Sequence, residues 1–145
     1  MAIYFYSTKD ALGEFSNFAA FPFDLDGKHW LTSEHYFQAQ KFTDEAYQEK
    51  IRLTPSPMVA AQLGRSRAIP LRLDWEERKD DVMRAAVKAK VMAHPHLKSL
   101  LLSTGHEELV EKTTKDHYWG CGTSGTGKNM LGVILMELRT SLQST

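Results

Sequence analysis

Residues 33–42 read SEHYFQAQKF, and the fold class turns on them. At 100° per residue, a helix through this stretch sets Glu34, Gln38 and Lys41 within about 60° of one another, with Tyr36, Phe37 and Phe42 spread around the remaining circumference. A surface helix would gather its aromatics on one side. The pattern predicts a helix from a Thr32 or Ser33 cap to about Phe42, enclosed on several sides around a polar stripe. Such a stripe is costly unless its groups meet one another or a ligand. A half-exposed stripe ending in a solvated lysine has the same periodicity, so both readings stand at this point.

Working outward, Ile3 to Tyr6 reads as a short strand, and Trp30 ends a second extended segment after a turn at Asp26-Gly27. Ser56-Pro57 opens a helix closed by Gly64, Asp74 caps a long helix through about Ala93, and Pro95 starts a shorter one ending near Gly105. Glu108 to Thr113 reads as a further strand, and Asn129 caps a final apolar helix to about Leu142. Strands first and then mostly helices predict an α+β fold: a compact single domain over residues 1–145, mainly helical with a small β component. No repeat or linker-like tract marks a boundary.

Eighteen Lys plus Arg balance eighteen Asp plus Glu, so no net field favours non-specific nucleic-acid binding. The single Cys121 cannot form an internal disulfide, and MAIYFYSTKD has neither the basic nor the apolar region of a leader. A cytoplasmic protein is expected. Its longest apolar run, Met130 to Met136, is interrupted by Gly132 and predicts no membrane span. The histidines show no zinc spacing, and neither a metal nor another cofactor is expected.

Glu34 sits in the first helical turn, where the macrodipole favours its ionised form, and Lys41 stands two turns on, roughly 10 Å along the axis. They cannot pair directly in that geometry. They can bracket a sugar ring, the carboxylate beside a developing oxocarbenium ion and the ammonium near a phosphate or hydroxyl. Lysine whose pKa is lowered by burial is also a nucleophile, and attack at an anomeric carbon would give an imine with the opened sugar.

The loop DHYWGCGTSGTGKNMLG imitates a Walker A motif, but Asn129 stands where Mg²⁺ ligation requires Ser or Thr. What survives is a glycine-rich loop next to a helix N-terminus, an expected anion site, with a mobile surface loop as the alternative. Trp119 can stack on a base. Arg65 and Arg67, with Arg72 nearby, suit phosphate, although solvated surface arginines are the commoner explanation. Lys90, near the apolar arc of the long helix, is expected to snorkel.

Together, IYFYSTKD with GEFSNFAAFPF, DGKHWLTSEHYFQAQKF, SPMVAAQLGRSR, the helix from Trp75 through Lys90, and DHYWGCGTSGTGKNMLG resemble the NADAR family (named for NAD and ADP-ribose), especially its YbiA-like N-glycosidases. The resemblance covers nearly the whole chain. It implies metal-free cleavage of an N-glycosidic bond, either in phosphoribosylaminopyrimidine intermediates of riboflavin synthesis or between ADP-ribose and guanine in nucleic acid. It places Glu34 and Lys41 at the catalytic centre, and Phe15, Asn17, Phe18, Arg65, Trp119, Gly120 and Asn129 around the ligand, with Lys128 in the same loop. Some relatives carry Asp where this chain has Cys121; Asp116 is the nearest remaining carboxylate.

The expected partner is a ribose phosphate small molecule or ADP-ribosylated nucleic acid, with no membrane and no obligate protein partner. Two rivals share the same residues. A non-catalytic ADP-ribose or nucleotide sensor would bind without turnover, and a protein-interaction module would bury the Glu34 stripe in another protein.

Overall fold

The structure is a computed structural model that describes residues 1–144. Six α-helices and four short strands occur among the described residues, so the fold is α+β with a helical majority. Two compact units divide the chain: one is the continuous stretch Ala20–Ala93, and the other joins Met1–Ala19 to the residues from His94 onward.

The continuous unit begins with the hairpin β2 (Phe23–Leu25) and β3 (Lys28–Trp30), paired antiparallel with Phe23 opposite Trp30. Asp26 and Gly27 both take positive φ, 56° and 75°, the type I′ geometry that matches the twist of two flanking strands. Helix α1 (Ser33–Ala39) follows, with Thr32 as its cap accepting from the His35 N–H. All seven α1 residues are buried, because β3 and the helices α2 (Glu45–Leu53), α3 (Pro57–Arg65) and α4 (Trp75–Ala93) all pack on it.

Phe23, Trp30, Tyr36, Ala39, Phe42, Ile51, Ala60 and Ala86 form the core of this unit. Aromatic edges meet faces within it, with Trp30 and Tyr36 at 5.0 Å between centroids and Phe42 and Tyr47 at 4.7 Å. The sequence reading misses α2 altogether. Asp44 caps it through the Tyr47 N–H, but only Ile51 is fully enclosed, so its apolar pattern is too sparse to register. Lys90 also departs from expectation. It is 2% exposed, with Nζ 5.9 Å from the Phe21 ring centroid. The ammonium is held inside near an aromatic face, where a snorkelling lysine would have carried it to water.

The second unit pairs β1 (Ala2–Phe5) in parallel with β4 (Glu108–Glu111), Ala2 opposite Glu108. Helices α5 (Pro95–Ser103) and α6 (Met130–Gln143) pack together, and α6 packs on β4. That last approach requires a glycine, since a Cβ at Gly132 would fall 2.1 Å from the Leu109 carbonyl oxygen. No helix of the described residues is long and apolar enough to cross a membrane.

Candidate active site

The polar stripe of α1 is the densest concentration of buried polar groups in the continuous unit. Glu34 is 9% exposed and Gln38 6%, while Ser33 and His35 are fully enclosed. The i,i+4 spacing brings the Gln38 amide to Glu34, where Nε2 donates to Oε2 at 2.6 Å. The other amide atom, Oε1, is buried without a hydrogen-bond partner. An unmet buried acceptor costs about 1–3 kcal/mol, which makes this pair an exception in an otherwise well-bonded helix.

Lys41 stands elsewhere than the sequence predicts. The regular helix ends at Ala39, and a tighter turn follows in which the Lys41 N–H reaches the Gln38 carbonyl at 3.3 Å. Lys41 therefore lies past the helix end, and Glu34 and Lys41 act on each other electrostatically. The expected helix to about Phe42 is shortened accordingly, to Ala39. Two contacts from the strap before α4 fix this turn. The Arg72 N–H donates to the Lys41 carbonyl at 2.8 Å, and the Arg72 guanidinium reaches the Gln40 carbonyl at 3.3 Å. Arg72 is itself held by Asp74, whose carboxyl is pushed down to about 2 by hydrogen bonds from Arg72 and Arg78.

The Lys41 side chain is half-buried, its Nζ 5.7 Å from the Phe37 ring centroid. Burial lowers its pKa below the ordinary lysine value. The Glu34 charge opposes that shift, and the Arg67 and Arg65 charges add to it. Arg65, the last residue of α3, is exposed; Arg67 wraps the helix end, donating to the Gly64 and Ser66 carbonyls at 2.8 and 3.0 Å. One carboxylate and two arginines thus act electrostatically on a lysine of lowered basicity. That set can stabilise positive charge at an anomeric carbon, offer a neutral amine, and hold an anion.

The remaining predicted ligand residues belong to the other unit. Phe15 is buried edge-to-face on Phe5, its ring centroid 6.4 Å away, while Asn17 is half-buried and Phe18 exposed. Asp116 holds its loop together, Oδ1 accepting from the Tyr118 and Trp119 N–H groups at 2.9 and 2.8 Å. Trp119 is half-buried beside Tyr118, whose ring lies 5.4 Å beneath the exposed Lys128 Nζ. Cys121 is buried within the turn, its N–H on the Glu111 carbonyl and its carbonyl receiving Gly127.

Two expectations about this loop are corrected. Asn129 occupies the cap position of α6 in a left-handed conformation, but its side chain does not cap the helix. It reaches β4, with Nδ2 donating to the Leu109 carbonyl at 2.8 Å and Oδ1 accepting from the Glu111 N–H at 2.9 Å. The N-terminus of α6 is also closed as an anion site. Its Met130 and Leu131 N–H groups donate to the Tyr118 and Trp119 carbonyls at 2.9 and 3.0 Å, and the Gly120 carbonyl receives the Asn129 N–H at 3.1 Å.

Sequence reasoning named Glu34, Lys41 and Arg65 for this site and left Gln38 as a member of the stripe without a role. The i,i+4 spacing from Glu34 was the available signal.

A family model described as NADAR domain matches residues 4–143 and so spans both units. The chain is 59% identical over 140 residues to N-glycosidase YbiA of Escherichia coli (strain K12), which covers 97% of this chain and 88% of that protein. It is 40% identical over 158 residues to the chloroplastic riboflavin biosynthesis protein PYRR of Zea mays, covering 99% of this chain and 25% of that protein. The NMR structure of the E. coli protein YbiA superposes with a TM-score of 0.91 at 58% identity, over 99% of this chain and 85% of that one.

Proposed function

The chain belongs to the NADAR domain family and is an N-glycosidase, and from that premise we propose that it hydrolyses a phosphoribosylaminopyrimidine, with Glu34 and Lys41 as the reacting pair. The observation that carries the catalytic reading is the enclosed α1 stripe, where a buried carboxylate lies within electrostatic reach of a lysine made less basic by burial. The substrate class is supported by a relative named for riboflavin biosynthesis that matches nearly all of this chain. The cell's cytoplasm is the proposed setting, supported by a single, buried cysteine.

In the proposed reaction the neutral Lys41 Nζ attacks the anomeric carbon, and the electron pair of the C–N bond leaves with the base nitrogen. Glu34 accepts the proton that Nζ gives up and passes it to the departing nitrogen. Opening of the sugar ring then yields an imine, and water returns the free sugar and the lysine. Arg65 and Arg67 are proposed to hold the phosphate. A desolvated lysine next to further cations is the pattern that makes an amine nucleophilic.

Borohydride added during turnover of phosphoribosylaminopyrimidine, followed by peptide mapping, is expected to place a reduced sugar on Lys41. Lys41→Arg should keep the charge yet lose turnover, and Glu34→Gln should lower kcat by about 100-fold or more. An active arginine variant without an adduct would return the chemistry to Glu34 and water. A parallel incubation with ADP-ribosylated DNA, reading released ADP-ribose by mass spectrometry, tests the substrate class. Binding of substrate with release of neither the aminopyrimidine nor ADP-ribose would identify a sensor instead.

A further inference from the structure

Two features of the continuous unit are unfavourable taken singly and converge on one hydrogen bond. The first is the unpartnered Oε1 of Gln38. The amide cannot be turned over to satisfy it, because that would set a carbonyl oxygen 2.6 Å from the Glu34 carboxylate in place of the donating Nε2. The second is Gly64, in the last turns of α3, where glycine is among the worst helix formers. A Cβ there would lie 1.8 Å from Gln38 Oε1, 2.6 Å from its Cδ and 3.0 Å from its Cβ. Any larger residue at 64 would drive the Gln38 amide from its place. The Gly64 Cα surface covers Oε1, so this oxygen faces protein and not a ligand.

An apolar residue of similar volume at 38 would remove the orphan, while an alanine at 64 would meet Gln38 Oε1 at 1.8 Å and the Gln38 Cβ at 3.0 Å, so glycine is what leaves the amide its room. Gln38 and Gly64 are kept where their joint effect is to press Nε2 against Glu34 Oε2. We infer that Gln38, backed by Gly64, is a positioning residue: it fixes the Glu34 carboxylate through Oε2 for the glycosidic reaction. This rests on the catalytic reading of Glu34 given above.

The test compares Gln38→Met, Gly64→Ala, the double variant and Glu34→Gln, with kcat and KM measured on phosphoribosylaminopyrimidine and melting temperature alongside. Methionine keeps the side-chain volume while removing donor and orphan together. Gly64→Ala displaces an intact Gln38, and is the independent route should the methionine variant fail to fold. Each single change is expected to lower kcat by about 10- to 100-fold, the scale of a misplaced catalytic group. KM should hold within about twofold, and the losses in the double variant should fall well short of the product of the single losses, since both act through one contact. A Gln38→Met enzyme with unchanged kcat, losses that multiply in the double variant, or losses that track falling melting temperature would each overturn the proposal. If Glu34→Gln remains active, the catalytic reading itself fails; if it is inactive while Gln38→Met is not, only the positioning role falls.

Discussion

His35 is completely enclosed, and its neighbours favour the neutral imidazole. Nε2 faces the Thr54 carbonyl at 2.8 Å, which can only accept, so the ring carries its hydrogen there. Nδ1 then accepts from the Thr32 hydroxyl at 2.7 Å, while that hydroxyl accepts from the His35 N–H at 3.1 Å. Every polar atom of the trio is matched only while the imidazole is neutral. Burial accordingly lowers the His35 pKa, with the Thr54 contact opposing. The unfolded chain takes up the proton near the ordinary value of 6.5 while the folded one resists, so this stability is fully present above that pH. It is lost as pH falls from there towards the depressed folded value. Melting temperature should thus decline as pH falls below about 6.5, and His35→Gln, although less stable at neutral pH, should flatten that slope in a thermal titration.

Helix α1 is too short to be stable alone and owes its form to the elements around it. That is why its aromatics point in several directions, and why SEHYFQAQKF showed the polar stripe while leaving open whether it was enclosed. The stop at Ala39 was not legible: the tight turn that carries Lys41 is held by Arg72, thirty-odd residues away in sequence. Helix α6 gives the converse case. Its extent was readable from apolar spacing, but not the use of Asn129, because an Asn before a helix looks like a cap until the neighbouring strand is known. Asn129→Ala should leave the Leu109 carbonyl and Glu111 N–H unmatched and cost about 2–4 kcal/mol in a denaturant titration. Asn129→Gly should recover roughly 1 kcal/mol of that, since glycine carries no penalty at φ 54°.

At the scale of the whole chain, one unit is a single continuous stretch and the other is assembled from the chain's two ends. The ends meet as β1 and β4, with Phe5 1% exposed and its carbonyl receiving the Lys112 N–H at 2.8 Å. Phe5→Ala should cost about 3–5 kcal/mol, lowering the melting temperature by roughly 10–15 °C. No local pattern foretold this pairing, because periodicity reports which face of a strand is apolar and not which distant strand it meets. The register has a consequence for biosynthesis. Ala2 pairs with Glu108, so at roughly 5–20 residues per second the ribosome takes about 5–20 s after making β1 to produce its partner. Throughout that interval the nascent chain carries Ala-Ile-Tyr-Phe-Tyr with no strand to receive it. Such an apolar, β-prone, uncharged segment is what chaperones hold and what aggregation recruits, so the finished enzyme's yield depends on how its first strand is kept while its partner is still being made.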